Sequence, residues 1–430
     1  MGYKVKFETL GCKLNFSETA TIAGQLRKIG IEPVKSGETP DVCIVNTCSV
    51  TALADAKCRQ HIRSLIKRYP EALMLVTGCY AQLKSREIAE IPGVDIVLGV
   101  EQKGEVAQYV ERWLADRETE VVVTPTMQIR RFVPSCECGD RTRYFLKVQD
   151  GCNYYCSYCT IPMARGRSRS GLISDLVAQA REVARAGGRE IVLTGVNIGD
   201  FGNGTGETLL DLLRQLDEVE GIERYRISSV EPDLLTDEII EFCADSQKFM
   251  PHFHIPLQSG SDEVLRLMRR HYDTALFAAK VERIKALIPY CFIGVDVMVG
   301  TRGETPELFE QSLNFIASLD VTHLHVFPYS ERPGTLALRI PYVVDAATKQ
   351  ERVARMIALS DEKQRRFTEL YLGTEREVLF EQAQPGRPMH GFTDNYIRVN
   401  VPPQDELVNR VGTVRLNSLC DDLSVNATIL

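Results

Sequence analysis

Long hydrophobic runs are missing from this 430-residue chain: none approaches the ~20 consecutive apolar residues needed to span a bilayer. The opening residues, Met1-Gly2-Tyr3-Lys4-Val5-Lys6, pass directly into strand-like alternation without the apolar core of a signal peptide. A cytoplasmic protein with no membrane partner is expected. An excess of basic charge is missing too. The 51 Lys and Arg against 58 Asp and Glu leave a net charge of −7, so any nucleic-acid surface has to be local. Nor is there the even cysteine count of a disulfide framework. Thirteen cysteines in a reducing compartment point instead to metal or cluster ligation for at least some of them. The remaining composition, 44% apolar and 25% charged, is that of a globular protein, and the length predicts two or three cores.

The pattern along the chain predicts an α/β fold in three parts. Residues 1–116 alternate strands and helices. Residues 4–10 alternate at period two, and 42–46 and 73–77 are short apolar runs of the buried parallel kind. Helical stretches at 17–28, 52–69, 85–91 and 105–114 accompany them, so a parallel α/β sheet domain is expected. Residues 117–140, polar and bearing Thr, Pro and Arg, read as a linker. Within 141–372, candidate strands at 145–149, 190–194, 225–229, 253–257, 292–297 and 322–327 are separated by helical stretches, which predicts a partial TIM-like (β/α)6 barrel. A charged helix over about 346–372 leads into 373–430. There, alternating strands broken at Gln384-Pro385-Gly386 and Val401-Pro402-Pro403 predict a small β-barrel.

The sharpest chemical signal is Cys152-Asn153-Tyr154-Tyr155-Cys156-Ser157-Tyr158-Cys159. Three thiolates this close, in a loop after the first barrel strand, suit one cubane iron–sulfur cluster. Three protein ligands on four irons leave one iron open, and an open position is what makes a metal catalytic rather than structural. A zinc loop or chance spacing fits three ligands before a barrel pattern less well. A second set is dispersed but regular: Cys12 in Leu10-Gly11-Cys12-Lys13-Leu14-Asn15, Cys48 in Asn46-Thr47-Cys48-Ser49-Val50-Thr51, and Cys79 in Thr77-Gly78-Cys79-Tyr80. Each lies about two residues beyond a predicted parallel strand, at the edge where open sheets gather ligands. Buried structural thiols would account for Cys43, inside a strand, but not for three cysteines in one loop position.

The Cys152-to-Cys159 loop on the first barrel strand resembles the radical S-adenosylmethionine superfamily. That resemblance implies a 4Fe-4S cluster whose open iron takes the amino and carboxylate groups of S-adenosylmethionine, and a 5′-deoxyadenosyl radical released by electron transfer. It also implies adenine packing by Tyr158. Further cofactor contacts are implied from strand ends, by Gly195 and Asn197 in Thr194-Gly195-Val196-Asn197, Ser229 in Ser228-Ser229, and Gln258 in Pro256-Leu257-Gln258-Ser259-Gly260. The two cysteine sets together, in this order, resemble the methylthiotransferases of that superfamily, and the segment from His390 to Val399 is similar to the core motif of their C-terminal TRAM barrel. Gly11-Cys12-Lys13-Leu14-Asn15-Phe16-Ser17-Glu18 and Asn46-Thr47-Cys48-Ser49-Val50-Thr51 are most similar to the branch acting on N6-threonylcarbamoyladenosine in tRNA. So is Lys57-Cys58-Arg59-Gln60-His61-Ile62-Arg63. The resemblance implies two 4Fe-4S clusters, two S-adenosylmethionine molecules per turnover, a tRNA substrate, and an electron-donating reductase or flavodoxin-like partner. One S-adenosylmethionine would methylate sulfur carried on the Cys12/Cys48/Cys79 cluster, and the other would activate adenine C2. One departure stands out: Val299-Gly300-Thr301-Arg302-Gly303-Glu304 lacks the aromatic–proline pair usual between those glycines.

Weaker signals remain. Cys136 and Cys138 cannot fill a metal site alone, and Cys58, Cys243, Cys291 and Cys420 read as packing residues. His252 with His254, and His323 with His325, alternate on strands so that each pair shares a face; barrel-interior polar positions explain them as well as metal binding does. Local basic charge on Arg59 and Arg63, and on Arg167 and Arg169, flanks the two cysteine sites and makes phosphate contact conceivable, although solvated faces usually explain such runs. Residues 373–430 hold five Arg against eight Asp and Glu, so aromatic contacts through Phe392 and Tyr396 fit RNA recognition there better than charge. The rival readings are methylthio transfer to isopentenyladenosine or to a ribosomal-protein aspartate and, from another class, a non-catalytic iron–sulfur RNA-binding sensor.

Overall fold

The computed structural model describes residues 2–136 and 142–430. It opens with a parallel six-stranded sheet of β1 (Lys4–Thr9), β2 (Glu32–Pro33), β3 (Val42–Thr47), β4 (Leu73–Gly78), β5 (Ile96–Leu98) and β6 (Glu120–Val122), in the order β2-β1-β3-β4-β5-β6. The helices are α1 (Lys13–Lys28), α2 (Ala52–Arg68), α3 (Cys79–Leu83), α4 (Ser85–Ala89) and α5 (Val106–Asp116). Ile22 and Leu26 of α1 with Val106 and Val110 of α5 cover one face of the sheet. Ile62 of α2, Tyr80 of α3 and Ile88 of α4 cover the other. Burial from both sides is why β3 and β4 read as unbroken apolar runs rather than as alternation.

The segment expected to be a linker does more than connect. Glu120–Val122 adds the outer strand β6 to the sheet, and Ile129, Val133 and Ser135 beyond it are buried. The strand is only three residues long, with Val121 and Val122 followed by Val123, and an apolar run that short falls below the length that marks a strand in a hydrophobic pattern. Cys136 forms a bridge with Leu146; Cys138 and the expected boundary at 140/141 lie outside the described residues.

A second parallel series follows: β7 (Arg143–Lys147), β8 (Gln149–Asp150), β9 (Arg169–Ser170), β10 (Glu190–Thr194), β11 (Arg224–Ile227), β12 (His252–Gln258), β13 (Phe292–Val299) and β14 (His323–Pro328). β8 and β9 pair antiparallel and clasp the cysteine loop. The rest run in chain order as two parallel ladders, β7-β10-β11 and β12-β13-β14. Parallel bridges from Ser229 to His254 and from Tyr225 to Phe249 join these into one open six-stranded wall. Around it lie α6 (Ile161–Arg165), α7 (Ile173–Arg185), α8 (Leu209–Asp217), α9 (Asp237–Asp245), α10 (Asp262–Leu267), α11 (Thr274–Leu287), α12 (Pro306–Ser318) and α13 (Ala346–Glu369). Their apolar stripes, among them Leu176, Leu212, Phe277 and Phe309, share one core with the strands. This is the partial (β/α)6 barrel that the pattern predicts.

The chain ends in a closed barrel of β15 (Glu375–Phe380), β16 (Met389–Thr393), β17 (Arg398–Val401), β18 (Val411–Leu419) and β19 (Val425–Ile429). It docks on the strand starts of the (β/α)6 wall. Arg224 donates to the Phe392 carbonyl, and Arg226 to the carbonyls of Thr393 and Asp394. No helix among the described residues is long and apolar enough to cross a membrane.

Candidate active site

The dispersed cysteines converge because β1, β3 and β4 are neighbours in the sheet. Cys12 caps the N-terminus of α1, Cys48 follows Thr47 at the end of β3, and Cys79 begins α3 directly after β4. Glycine makes the approach possible. At Gly11 (φ +110°) a Cβ would lie 2.9 Å from the Cys48 sulfur, and at Gly78 (φ +105°) one would lie 2.4 Å from the Thr47 carbonyl. Buried amides lace the three loops together. Asn15 donates to the carbonyls of Leu10 (2.7 Å) and Thr47 (3.1 Å), and Asn46 donates to the Asn15 carbonyl (2.9 Å).

Burial pushes the Cys48 thiol up to about 12, and Cys79 and Cys12 add to it because three thiolates repel one another. Burial also raises Cys12, opposed by the Arg165 guanidinium. Arg165 comes from α6 in the second unit and donates to the Cys79 sulfur (3.3 Å), Asn15 (2.8 Å), Glu18 (2.9 Å) and Asp150 (3.0 Å). Lys103 and Lys147 also pair with Glu18, and Lys147 and Arg169 with Asp150. Four buried cations against two carboxylates leave 4 − 2 = +2 beside the cysteines. An excess of positive charge suits thiolate ligands held to a cluster and would be costly beside neutral thiols.

The contiguous triad sits in the loop clasped by β8 and β9. Gly151 (φ +71°) turns the chain where a Cβ would lie 2.1 Å from the Arg167 carbonyl. Ser157 anchors the loop through its N–H to the Met268 carbonyl (3.0 Å) and its hydroxyl to the Leu267 carbonyl (2.8 Å). Burial raises all three thiols, Cys152 to about 12. Arg270 donates to the Cys156 sulfur (3.0 Å), lies 3.5 Å from the Tyr158 hydroxyl, and pairs with Glu231. Burial pushes the Glu231 carboxyl up to about 7 even beside that guanidinium.

The residues named for S-adenosylmethionine fall at the same edge. At Gly195 a Cβ would meet Gln149, whose Oε1 takes the N–H groups of Val196 (3.0 Å) and Asn197 (2.9 Å). Asn197 is 2% exposed, yet its side-chain oxygen and nitrogen lack partners among the described residues, as does the hydroxyl of Ser228. Buried polar groups without partners mark where a polar ligand belongs. Ser229 bridges β11 to His254. Gln258, strained at φ +68° on the bulged end of β12, lines a cavity of about 280 Å³ with Tyr158, Cys159 and Asp296. Val50 and Thr51, from the loop after Cys48, line its other side. Arg332 secures that loop by hydrogen bonds to Ser49 (2.8 Å) and Asp55 (2.7 Å). The cavity is therefore lined on one side by Cys159 of the contiguous triad and on the other by the loop that follows Cys48.

The expected RNA contacts divide. Arg63 and Arg167 are exposed. Arg59 pairs with Glu87 (3.1 Å) and donates to Tyr80 (2.8 Å). Arg169 is buried on Asp150 and on the Arg131 and Arg165 carbonyls, so it is not a free phosphate ligand. Phe392 and Tyr396 also need correction. They stack on each other at 4.8 Å, under Arg143 (4.4 Å) and Arg226 (4.8 Å) respectively, and Tyr396 lies 4.3 Å from His252. They belong to the seam between the barrels, because the motif's aromatics face the wall and not solvent. Arg302, in place of the expected aromatic–proline pair, donates to the Leu338 and Ile340 carbonyls and pairs with Glu331. The turn itself survives, with Glu304 accepting the Gly300 N–H (2.6 Å) and pairing with Arg352 (2.7 Å). Arg270 and Arg332 carried no sequence signal, and Arg165 stood out only as part of the basic loop running to Arg169, since their partners are far away along the chain.

Comparison with known proteins agrees with this geometry. Residues 4–99 match the family described as "Uncharacterized protein family UPF0004", and residues 146–316 match the Radical SAM superfamily. The chain is 40% identical over 96% of its length to the Bacillus subtilis threonylcarbamoyladenosine tRNA methylthiotransferase MtaB, covering 93% of that protein. It is 33% identical over 95% of its length to the Syntrophotalea carbinolica tRNA-2-methylthio-N(6)-dimethylallyladenosine synthase, covering 96% of it. The radical S-adenosylmethionine methyltransferase TsrM from Kitasatospora setae shares the fold at 14% identity, with a TM-score of 0.56 over 76% of this chain and 75% of that one. Superfamily membership implies a 4Fe-4S cluster and S-adenosylmethionine, which the cysteine loop and the unpartnered Asn197 accommodate. The chain belongs to the radical S-adenosylmethionine methylthiotransferases.

Proposed function

We propose that this enzyme converts N6-threonylcarbamoyladenosine at position 37 of tRNA, beside the anticodon, to its 2-methylthio derivative. The observation that carries this reading is the greater identity to a threonylcarbamoyladenosine enzyme, 40%, than to the dimethylallyladenosine enzyme, 33%, at similar coverage. No side chain removes an adenine C2 hydrogen as a proton at neutral pH, so the chemistry has to come from a cofactor. In this reading Cys152, Cys156 and Cys159 hold one 4Fe-4S cluster and Cys12, Cys48 and Cys79 a second. When bound, the clusters and two S-adenosylmethionine molecules per turnover supply hydrogen abstraction and a methylthio group.

The chain's own residues bind, orient and shield. We assign Tyr158, Gly195, Asn197, Ser229 and Gln258 to cofactor binding; of these, Tyr158 and Gln258 line the cavity. Arg270 keeps a positive charge on Cys156, and Arg165 keeps one on Cys79. Val50 and Thr51 line the side of the cavity nearest the N-terminal cysteines. Arg63 and Arg167 are the exposed cations we assign to tRNA phosphates, and a reductase or flavodoxin-like protein is the assigned electron donor. The test is anaerobic turnover with tRNA carrying the threonylcarbamoyl or the dimethylallyl group, followed by nucleoside mass spectrometry. A methylthio product on the threonylcarbamoyl substrate is expected. Product only on the dimethylallyl substrate would reassign the enzyme, and cluster binding without 5′-deoxyadenosine release would make it a sensor.

A further inference from the structure

The wall of the (β/α)6 barrel carries a second polar group beside the cavity. In the parallel register Asp296 lies opposite His325 and Gly294 opposite both His254 and His323. His254 Nε2 and Asp296 Oδ1 are 2.8 Å apart, and ligand-capable atoms of His254, Asp296 and His325 all lie within 4.8 Å of one another. Gly294 floors the gap between the rings, where a Cβ would stand 3.6 Å from His325 Nε2 and 3.9 Å from His254. His325 is exposed to the barrel mouth and makes no hydrogen bond among the described residues; its ring contacts are His254 at 5.1 Å and His323 at 4.6 Å. Asp296 also lines the 280 Å³ cavity with Tyr158 and Cys159. This polar group and the space of the proposed reaction are therefore continuous.

Charge decides what the group is built to receive. Lys13, directly after Cys12, is exposed and has no ion pair or hydrogen bond among the described residues. Its charge is among the lesser influences on His252, Asp296, His325 and Tyr396, so its ammonium lies within electrostatic reach of this group. The other nearby cation, Arg226, is committed to Glu190 (3.0 Å) and to two carbonyls. Asp296 is engaged by His254, and Glu231, which the charge of Asp296 reaches, is paired with Arg270. An uncommitted ammonium and an imidazole free to donate an N–H favour an anion, and the same ammonium opposes a divalent cation on the two histidines.

We propose that Lys13 and His325, backed by the His254–Asp296 pair, form the subsite for an anionic substituent on the substrate base. Resting on the function proposed above, that substituent is the threonyl carboxylate of N6-threonylcarbamoyladenosine. Lys13 supplies the charge and His325 one N–H. A dimethylallyl group offers neither charge nor acceptor and would leave both unpaired.

The test uses anaerobically reconstituted enzyme and one tRNA carrying either the threonylcarbamoyl group or its methyl ester, of nearly the same shape without charge. Wild type, Lys13→Gln, Lys13→Arg and His325→Leu are compared for kcat and KM, for iron content and for 5′-deoxyadenosine release. Loss of a charge-assisted hydrogen bond predicts a roughly 10- to 100-fold fall in kcat/KM for Lys13→Gln on the acid, mostly in KM, with little change on the ester. Lys13→Arg should recover much of it, and His325→Leu should lose several-fold on the acid alone. Should Lys13→Gln shed iron from the neighbouring site, His325→Leu decides the matter, since it touches no cysteine. Equal losses on acid and ester, or an ester turned over as well as the acid by wild type, would overturn the subsite. So would zinc or iron beyond two clusters that disappears in His325→Leu, which would make the group a metal centre. Wild type acting only on dimethylallyl tRNA would instead refute the functional reading and take the carboxylate subsite with it.

Discussion

Replacing Arg165 with Met tests whether the two units are held together electrostatically at the cysteine site. The guanidinium is 1% exposed and reaches across the seam to Glu18 and Asn15 on α1, to Cys79, and to Asp150 on β8. Met fills much of the same volume but removes every one of these hydrogen bonds and lowers the buried charge from +2 to +1. Both carboxylates keep other partners, Glu18 with Lys103 and Lys147 and Asp150 with Lys147 and Arg169. The cost therefore belongs at the lower end for breaking a buried network, about 3 kcal/mol rather than 5. At ~2–4 °C per kcal/mol for domains of this size, thermal unfolding should fall by roughly 6–12 °C. Losing the cation that opposes burial at Cys12 should also raise that thiol further, so iron should be lost from the N-terminal site and kept at Cys152, Cys156 and Cys159. Lys at 165 keeps the charge without the fork and should fall between. The assay pairs differential scanning with iron analysis and electron paramagnetic resonance on anaerobic protein. A midpoint within about 2 °C of wild type, or iron lost from the contiguous triad instead, would refute the reasoning.

Three further outcomes follow from the same geometry. Arg270→Gln removes the charge from Cys156, so iron analysis should show the contiguous triad emptied while the Cys12, Cys48 and Cys79 site stays loaded. His252 is held well below its usual range, by burial first and Arg226 next. A histidine depressed in the fold stabilises while neutral, so stability should be full above pH ~6.5 and decline as pH falls from there toward the folded value; urea midpoints at two pH values check this, and His252→Phe should flatten that limb. Tyr396→Ala should loosen the seam and raise hydrogen exchange in β15 to β19, whereas a base-stacking role would weaken tRNA binding with exchange unchanged.

What was legible in the sequence follows from how far each interaction reaches along the chain. The Cys152, Cys156 and Cys159 loop is local, so spacing alone announces it. The dispersed cysteines are readable because parallel strands bring every loop at one edge to the same place, and β1, β3 and β4 are neighbours. Nothing comparable marks Arg270, and only a run of basic residues marks Arg165; they act on Cys156 and Cys79 from 114 and 86 residues away. Phe392 and Tyr396 show the converse failure. Alternation identifies which side chains leave the small barrel, but not whether solvent, RNA or another domain waits outside. Here Arg143, Arg224, Arg226 and His252 wait there. Arg302 shows a third case, in which a departure from the family pattern acquires its own purpose. Its guanidinium holds the Leu338 and Ile340 carbonyls, and Ala337 beside them donates to the Ser157 carbonyl (2.8 Å) in the cysteine loop. The replaced pair thus leaves the turn intact and adds an indirect brace for the cluster site. That brace follows from the geometry of Arg302 and not from any resemblance.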